Sequence, residues 1–279
     1  MTSSASDIEP ARSVPSDLGP RILWGAILAV AALAAVLLGG WVLAIALAVV
    51  VALIAREWSA MTLGESPRDF AIVAIPGVLA VVVAALPQPY WALGIFVVGA
   101  IAAGFIRRSG WAVAGVAYAA VLGVGLVLIR ADAGFGLEAV LFLLAIVWGS
   151  DVAAYFAGRA IGGPKLWPRV SPKKTWSGFL GGTLVGAAAG VAVAIIAGVP
   201  VSATLVAIAI AISVLSAAGD LFESSVKRRF GKKDSGSLIP GHGGVMDRVD
   251  GLIFAVAAGL GIGIVHGGWP RLGEGLLFW

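Results

Sequence analysis

From residue 22 to residue 55 the chain runs for 34 positions without a charged side chain. One span of a bilayer needs about 20 apolar residues, so this run holds enough for two short crossings. Gly39-Gly40 divides it into 22–38 and 41–55. Seven more apolar runs follow, at 71–86, 90–106, 111–129, 136–157, 177–198, 201–219 and 251–267. Segments this long and this apolar can satisfy their backbone groups in lipid only as helices, because they are too long and unbroken for barrel strands.

Composition agrees. Hydrophobic residues make up 60% of the 279 and charged residues 12%, against about 25% charged in a soluble domain. The expected fold class is an all-α polytopic integral membrane protein, with about nine transmembrane helices and two cytoplasmic catalytic loops. The 39 glycines suit close helix packing in lipid. No cysteine is present, which removes disulfides, thiolate metal sites and cysteine nucleophiles. Two histidines, His242 and His266, are too few for a histidine-rich zinc site.

The expected organisation has four parts. Residues 1–21 form a polar, disordered cytoplasmic tail without the marks of a cleaved signal. Residues 22–147 hold the first helices, residues 148–267 the catalytic membrane region, and residues 268–279 a short tail. Placing the N-terminus in the cytoplasm puts 17 of the 19 lysines and arginines inside, leaving only Arg130 and Arg271 outside. That bias predicts a multi-pass protein of the cell (inner) membrane. It also predicts that the loops at 158–176 and 221–249 share the cytoplasmic face.

The first polar cluster spans residues 148–182. Asp151 lies inside an apolar run, where a carboxylate is costly and usually faces a polar interior. Tyr155, four residues on, shares its helix face. Lys173, Lys174, Thr175 and Ser177 precede the next span. Cations, hydroxyls and free amides at a helix start suit phosphate oxygens, although the lysines also fit plain topology control. Trp167 and Trp176 read as interfacial anchors, and nothing points to nucleic acid.

The second cluster spans residues 220–251 and holds twelve ionisable groups in 32 residues. On a helix, Asp220, Ser224 and Lys227 lie near one face, with Glu223 adjacent. Lys227, Arg228, Arg229, Lys232 and Lys233 supply five cations, and Asp234 follows them. Asp247 and Asp250 are three apart at the start of the last span, with Arg248 between. Three carboxylates brought together repel unless a cation sits among them, and an all-oxygen set suits Mg²⁺. Asp220, Asp247 and Asp250 are therefore the expected metal ligands; the bland alternative pairs them with neighbouring lysines and arginines. The Pro240–Gly244 stretch lacks the Walker spacing. Its glycines can bring backbone amides close to phosphate, and His242 stands ready to hydrogen-bond a phosphate or nucleotide group.

The stretch from Ser224 to Asp250, SSVKRRFGKKDSGSLIPGHGGVMDRVD, closely resembles the signature of the phosphatidate cytidylyltransferase (CDP-diacylglycerol synthase) family, with every signature position filled. The lead-in GDLFE at residues 219–223 fits as well. SPKKTWSGFLGG at 171–182 and SDVAAYFAGR at 150–159 resemble two further motifs of the family. Ser177 stands where Glu is commoner, and Val152 where Thr is common. The resemblance implies condensation of CTP with phosphatidic acid to CDP-diacylglycerol and pyrophosphate. It also implies Mg²⁺ assisted by K⁺, and a homodimer. Asp220 and Asp247 would serve the metal centre, with Lys227, Arg228, Lys233 and Arg248 serving phosphates or charge balance. Two other classes are consistent with membrane carboxylates. A CDP-alcohol phosphotransferase would carry a DG-x2-AR-x8-G-x3-D-x3-D pattern, which is absent. A transporter would not need a basic loop joined to three aspartates.

Overall fold

The computed structural model describes residues 18–236 and 243–279. Among them run nine long helices: α1 (Leu18–Leu38), α2 (Gly40–Thr62), α3 (Pro67–Ala84), α4 (Trp91–Arg107), α5 (Gly110–Arg130), α6 (Gly136–Ile161), α7 (Trp176–Ile196), α8 (Ala203–Arg229) and α9 (Met246–Ile262). Seven of these, α2, α3 and α5 to α9, are long and apolar enough to cross a membrane, counting for α9 the π-helical turn Gly263–Gly267 that extends it. Two others, Gly25–Leu38 within α1 and α4, are apolar but shorter. The chain is thus a multi-span membrane protein built of helices.

Local chemistry sets the boundaries. Ser66, Ser109, Thr175 and Ser202 each turn a hydroxyl back to accept a backbone N–H at a helix start, the standard remedy for the unpaired first turn. Gly39 and Gly40 both adopt positive φ between α1 and α2. Arg130, at the end of α5, donates to the carbonyls of Val36 (2.8 Å) and Leu37 (3.3 Å) and so closes the α1 terminus. Gly99 of α4 lies against Pro76 of α3, where any side chain would clash.

Four features differ from the sequence expectations. The helix over 41–55 does not stop at Arg56-Glu57: α2 runs to Thr62 and buries Glu57. The eighth helix continues past Gly219 to Arg229, carrying Asp220, Ser224 and Lys227 on helical backbone. The loop at 158–176 is not irregular throughout, since β1 (Lys165–Trp167) pairs antiparallel with β2 (Ser171–Thr175), Lys165 opposite Thr175, a short hairpin on an otherwise all-α bundle. The short tail at 268–279 contains α10 (Leu272–Leu277), whose Leu272, Leu276 and Leu277 are buried. His266 stacks on Trp279 and meets the Gly275 carbonyl at 3.0 Å, a packing role. Residues 1–17 of the expected tail, and His242 with Pro240 and Gly241, lie outside the described residues.

Helices in lipid gain little from the hydrophobic effect between themselves and rely on close packing. Gly178, Gly182, Gly186 and Gly190 repeat every four residues along α7, one face of a helix. A Cβ at the first three would lie 2.7–2.8 Å from the carbonyls of Ala154, Ser150 and Ile146 of α6. One at Gly190 would lie 2.5 Å from the Ile146 side chain. The two backbones therefore touch over about two turns, from Gly178 to Gly186.

The connections α2–α3, α4–α5, α6–α7 and α8–α9 gather at one end of the bundle. Lys232 donates to the Ala60 carbonyl (3.2 Å), Arg107 to that of Leu63 (3.4 Å), and Arg228 to that of Val170 (3.5 Å). Beneath them a column of rings, Trp58, Tyr118, Phe222 and Phe254, joins α2, α5, α8 and α9, with successive centroids 5.0, 5.8 and 5.5 Å apart.

Candidate functional site

Gly219 and Gly251 determine how closely α8 meets α9. A Cβ on Gly219 would sit 2.5 Å from the Asp250 carbonyl, and one on Gly251 2.6 Å from the Ser216 hydroxyl. This contact sets Asp220, one residue beyond Gly219, beside Asp250. Both face a cavity of about 750 Å³ whose walls also include Asp151, Lys173, Lys174 and Arg248. The charges of Asp151, Asp220, Asp250 and Lys174 act on one another there. Lys174, presented by β2, is ion-paired to Asp220. Ser224 touches the same carboxylate at 3.4 Å.

Asp247 differs from its expected partners. It reaches the cavity wall, but its carboxylate is held by Lys227 (2.6 Å), by the Gly244 amide (2.8 Å) and by the Ser235 amide (3.2 and 3.3 Å). Asp151, Asp220, Asp247 and Asp250 all line the cavity, and Asp247 is the member of the expected trio whose carboxylate is taken up by Lys227 and backbone amides. Lys227 is itself buried between Glu223 and Asp247, 2.6 Å from each; Glu223 is fully buried. The described cavity wall does not include Lys227.

Glu57 is the group that sequence reasoning missed. Its carboxylate accepts from the amides of Val245 and Met246, each at 2.8 Å, and from the Ser235 hydroxyl at 3.1 Å. It caps α9 from a helix nearly 190 residues earlier in the chain. Gly236 and Gly244 make room for it: a Cβ at either would lie within 2.9 Å of a Glu57 oxygen. The available signal was the apolar sequence WSAM directly after Glu57, which shows that the helix continues.

The other expected residues divide. Thr175 caps α7 through the Gly178 amide (3.1 Å) and shares a hydrogen bond with Ser177 (3.0 Å); Ser177 donates to the Gly162 carbonyl. Lys173 and Arg248 are exposed on the cavity side. Arg228, Lys233 and Asp234 are exposed in and beside the loop after α8, and Arg228 also donates to the Lys232 carbonyl at 3.3 Å.

Among the described residues no three carboxylates or histidines stand close enough to cage an ion unaided. Mg²⁺ is commonly held by one or two carboxylates with phosphates and water completing the shell. Asp151, Asp220 and Asp250 repel one another while Lys174 and Arg248 offset part of that charge, and an oxygen-liganded divalent cation fits such a set.

Acid groups and lysines meeting in a cavity at one end of a membrane bundle define a class: polytopic proteins that handle charged ligands at the bilayer surface. Comparison with known sequences narrows it. Residues 19–260 match the cytidylyltransferase family, and the chain belongs to that family. It is 51% identical over 148 residues to a phosphatidate cytidylyltransferase of Brucella suis biovar 1 (strain 1330), covering 53% of this chain and 55% of that protein. It thus spans about half the length of that relative. It is 33% identical over 205 residues to one from Staphylococcus haemolyticus (strain JCSC1435), covering 66% of this chain and 78% of that protein. A Bacillus subtilis (strain 168) phosphatidate cytidylyltransferase is 37% identical over 123 residues, 44% of this chain and 46% of its own length.

Proposed function

We propose that the chain is an enzyme that condenses CTP with phosphatidic acid, forming CDP-diacylglycerol and pyrophosphate at the cytoplasmic membrane face. The observation that carries this reading is the Gly219–Asp250 contact, which sets two carboxylates in one cavity with Lys174 of the facing hairpin. Family membership and the names of the relatives support the substrates. The gathering of the basic connections at one end supports nine crossings with that end and the N-terminus inside.

Asp220 and Asp250, with Asp151 near, would hold Mg²⁺, and K⁺ would assist as the resemblance implies. The ion would supply charge neutralisation on the transferred and departing phosphates. Lys173, Lys174 and Arg248 would orient the triphosphate and offset charge building on pyrophosphate. A phosphate oxygen of the lipid attacks the α-phosphorus of CTP. The bond from that phosphorus to the α,β-bridging oxygen breaks, and pyrophosphate leaves with the electron pair. Phosphatidate is already anionic near neutral pH, so positioning, not proton removal, is the main task of the site. Asp247, Lys227, Glu223 and Glu57 brace the start of α9, which carries Asp250 and Arg248.

Purified protein given CTP, phosphatidic acid and Mg²⁺ should release pyrophosphate, and D220A and D250A should abolish the release. Absence of release with any nucleotide would overturn the reading in favour of transport. Release of CMP from a CDP-alcohol in place of pyrophosphate would favour a phosphotransferase.

A further inference from the structure

The cavity extends from its charged mouth to a set of hydroxyls contributed by three helices: Ser150 of α6, Thr183 of α7 and Ser213 of α8 all line it. Thr183 is 8% exposed and Ser213 1%. Neither hydroxyl has a hydrogen-bond partner among the described residues. Ser150 uses its proton on the Val147 carbonyl at 2.8 Å. The hydroxyls converge on the glycine face of α7, since a Cβ at Gly186 would lie 2.8 Å from the Ser150 Cβ and 2.9 Å from the Ser213 oxygen.

Ser213 lies seven residues before Asp220 on α8, two helical turns or roughly 10 Å deeper along the same face. The surrounding hydrocarbon offers such hydroxyls no acceptor, and a buried hydroxyl left unpaired is costly. Two such donors facing one cavity call for a ligand with acceptors. Between them and the charged mouth the walls are Ala154, Phe179 and Ala217, each about one turn nearer the charges, which suit the carbons of a glycerol backbone. A molecule with phosphate at the mouth, carbon behind it and acceptors one step deeper is a diacyl glycerophospholipid, whose ester carbonyls follow its glycerol carbons.

We propose that Thr183 and Ser213 donate hydrogen bonds to the ester carbonyls of the lipid substrate and make the site selective for acyl over alkyl lipids. This rests on the functional reading above. The test compares diacyl phosphatidic acid with a dialkyl ether analogue of equal chain length, in mixed micelles, with wild type, T183V, S213A and T183S. Wild type should show a KM about three- to tenfold lower for the diacyl lipid. T183V and S213A should raise the diacyl KM toward the dialkyl value, leaving the dialkyl and CTP KM values unchanged. T183S, which keeps the hydroxyl, should retain the preference. Equal KM values for the two lipids with wild type would overturn the proposal without any variant. So would variants that lose both lipids equally, or that raise the KM for CTP alone, the latter assigning the hydroxyls to the nucleotide. Wild type that turns over neither lipid overturns the functional reading instead.

Discussion

Glu57 and Met246 meet at 2.8 Å, carboxylate to amide, across 189 residues of sequence. The bond ties the end of α2 to the first turn of α9, the helix that carries Asp247 and Asp250. An acidic group at a helix N-terminus also opposes the positive end of the helix dipole. E57A strips the partner from two amides and the Ser235 hydroxyl. It should destabilise the protein by about 1–3 kcal/mol and lower turnover. Thermal unfolding in detergent checks the first and pyrophosphate release the second; an unchanged melting temperature would remove Glu57 from the account.

Gly219 and Gly251 offer a contrast. The added methyl of G219A meets the Asp250 backbone oxygen, which cannot move aside without moving α9. That of G251A first meets the Ser216 hydroxyl, which can rotate. A misplacement of about 1 Å can cost about a hundredfold in rate, so G219A should lose about that much turnover and G251A far less. Equal rates for the two would show that this crossing does not set the site.

Lys227 stands between two buried carboxylates, 2.6 Å from each. K227M leaves both without their cation, and breaking a buried pair this way costs about 3–5 kcal/mol. Adding E223Q should recover part of that loss by removing one of the stranded charges. Chemical denaturation of the single and double variants measures the difference, and a K227M protein as stable as wild type would contradict the pairing.

Chelation with EDTA should stop turnover, and Mg²⁺ should restore it. D250N should raise the Mg²⁺ concentration for half-maximal rate by about tenfold or more. A Mg²⁺ titration that superimposes on wild type would place the ion elsewhere.

Much of this was readable in the sequence, for identifiable reasons. Apolar runs report burial in lipid directly, so all nine long helices were found within a few residues of most ends. The ends failed where polar residues lie inside a bundle instead of outside the membrane: Glu57 and Asp220 both sit on continuing helix. The two polar clusters do meet, Lys174 with Asp220. The grouping of carboxylates was not legible. Spacing places Asp247 and Asp250 on one face, but it cannot show that Lys227 and the Ser235 and Gly244 amides hold Asp247, or that Asp151 lines the same cavity from another helix.

The glycine face of α7 carries a last consequence. Where α6 and α7 touch backbone to backbone, the distance between these two cavity-lining helices is a main-chain dimension that no rotamer change can alter. One methyl added at Gly182, a residue with no chemistry of its own, would redraw the range of molecules admitted.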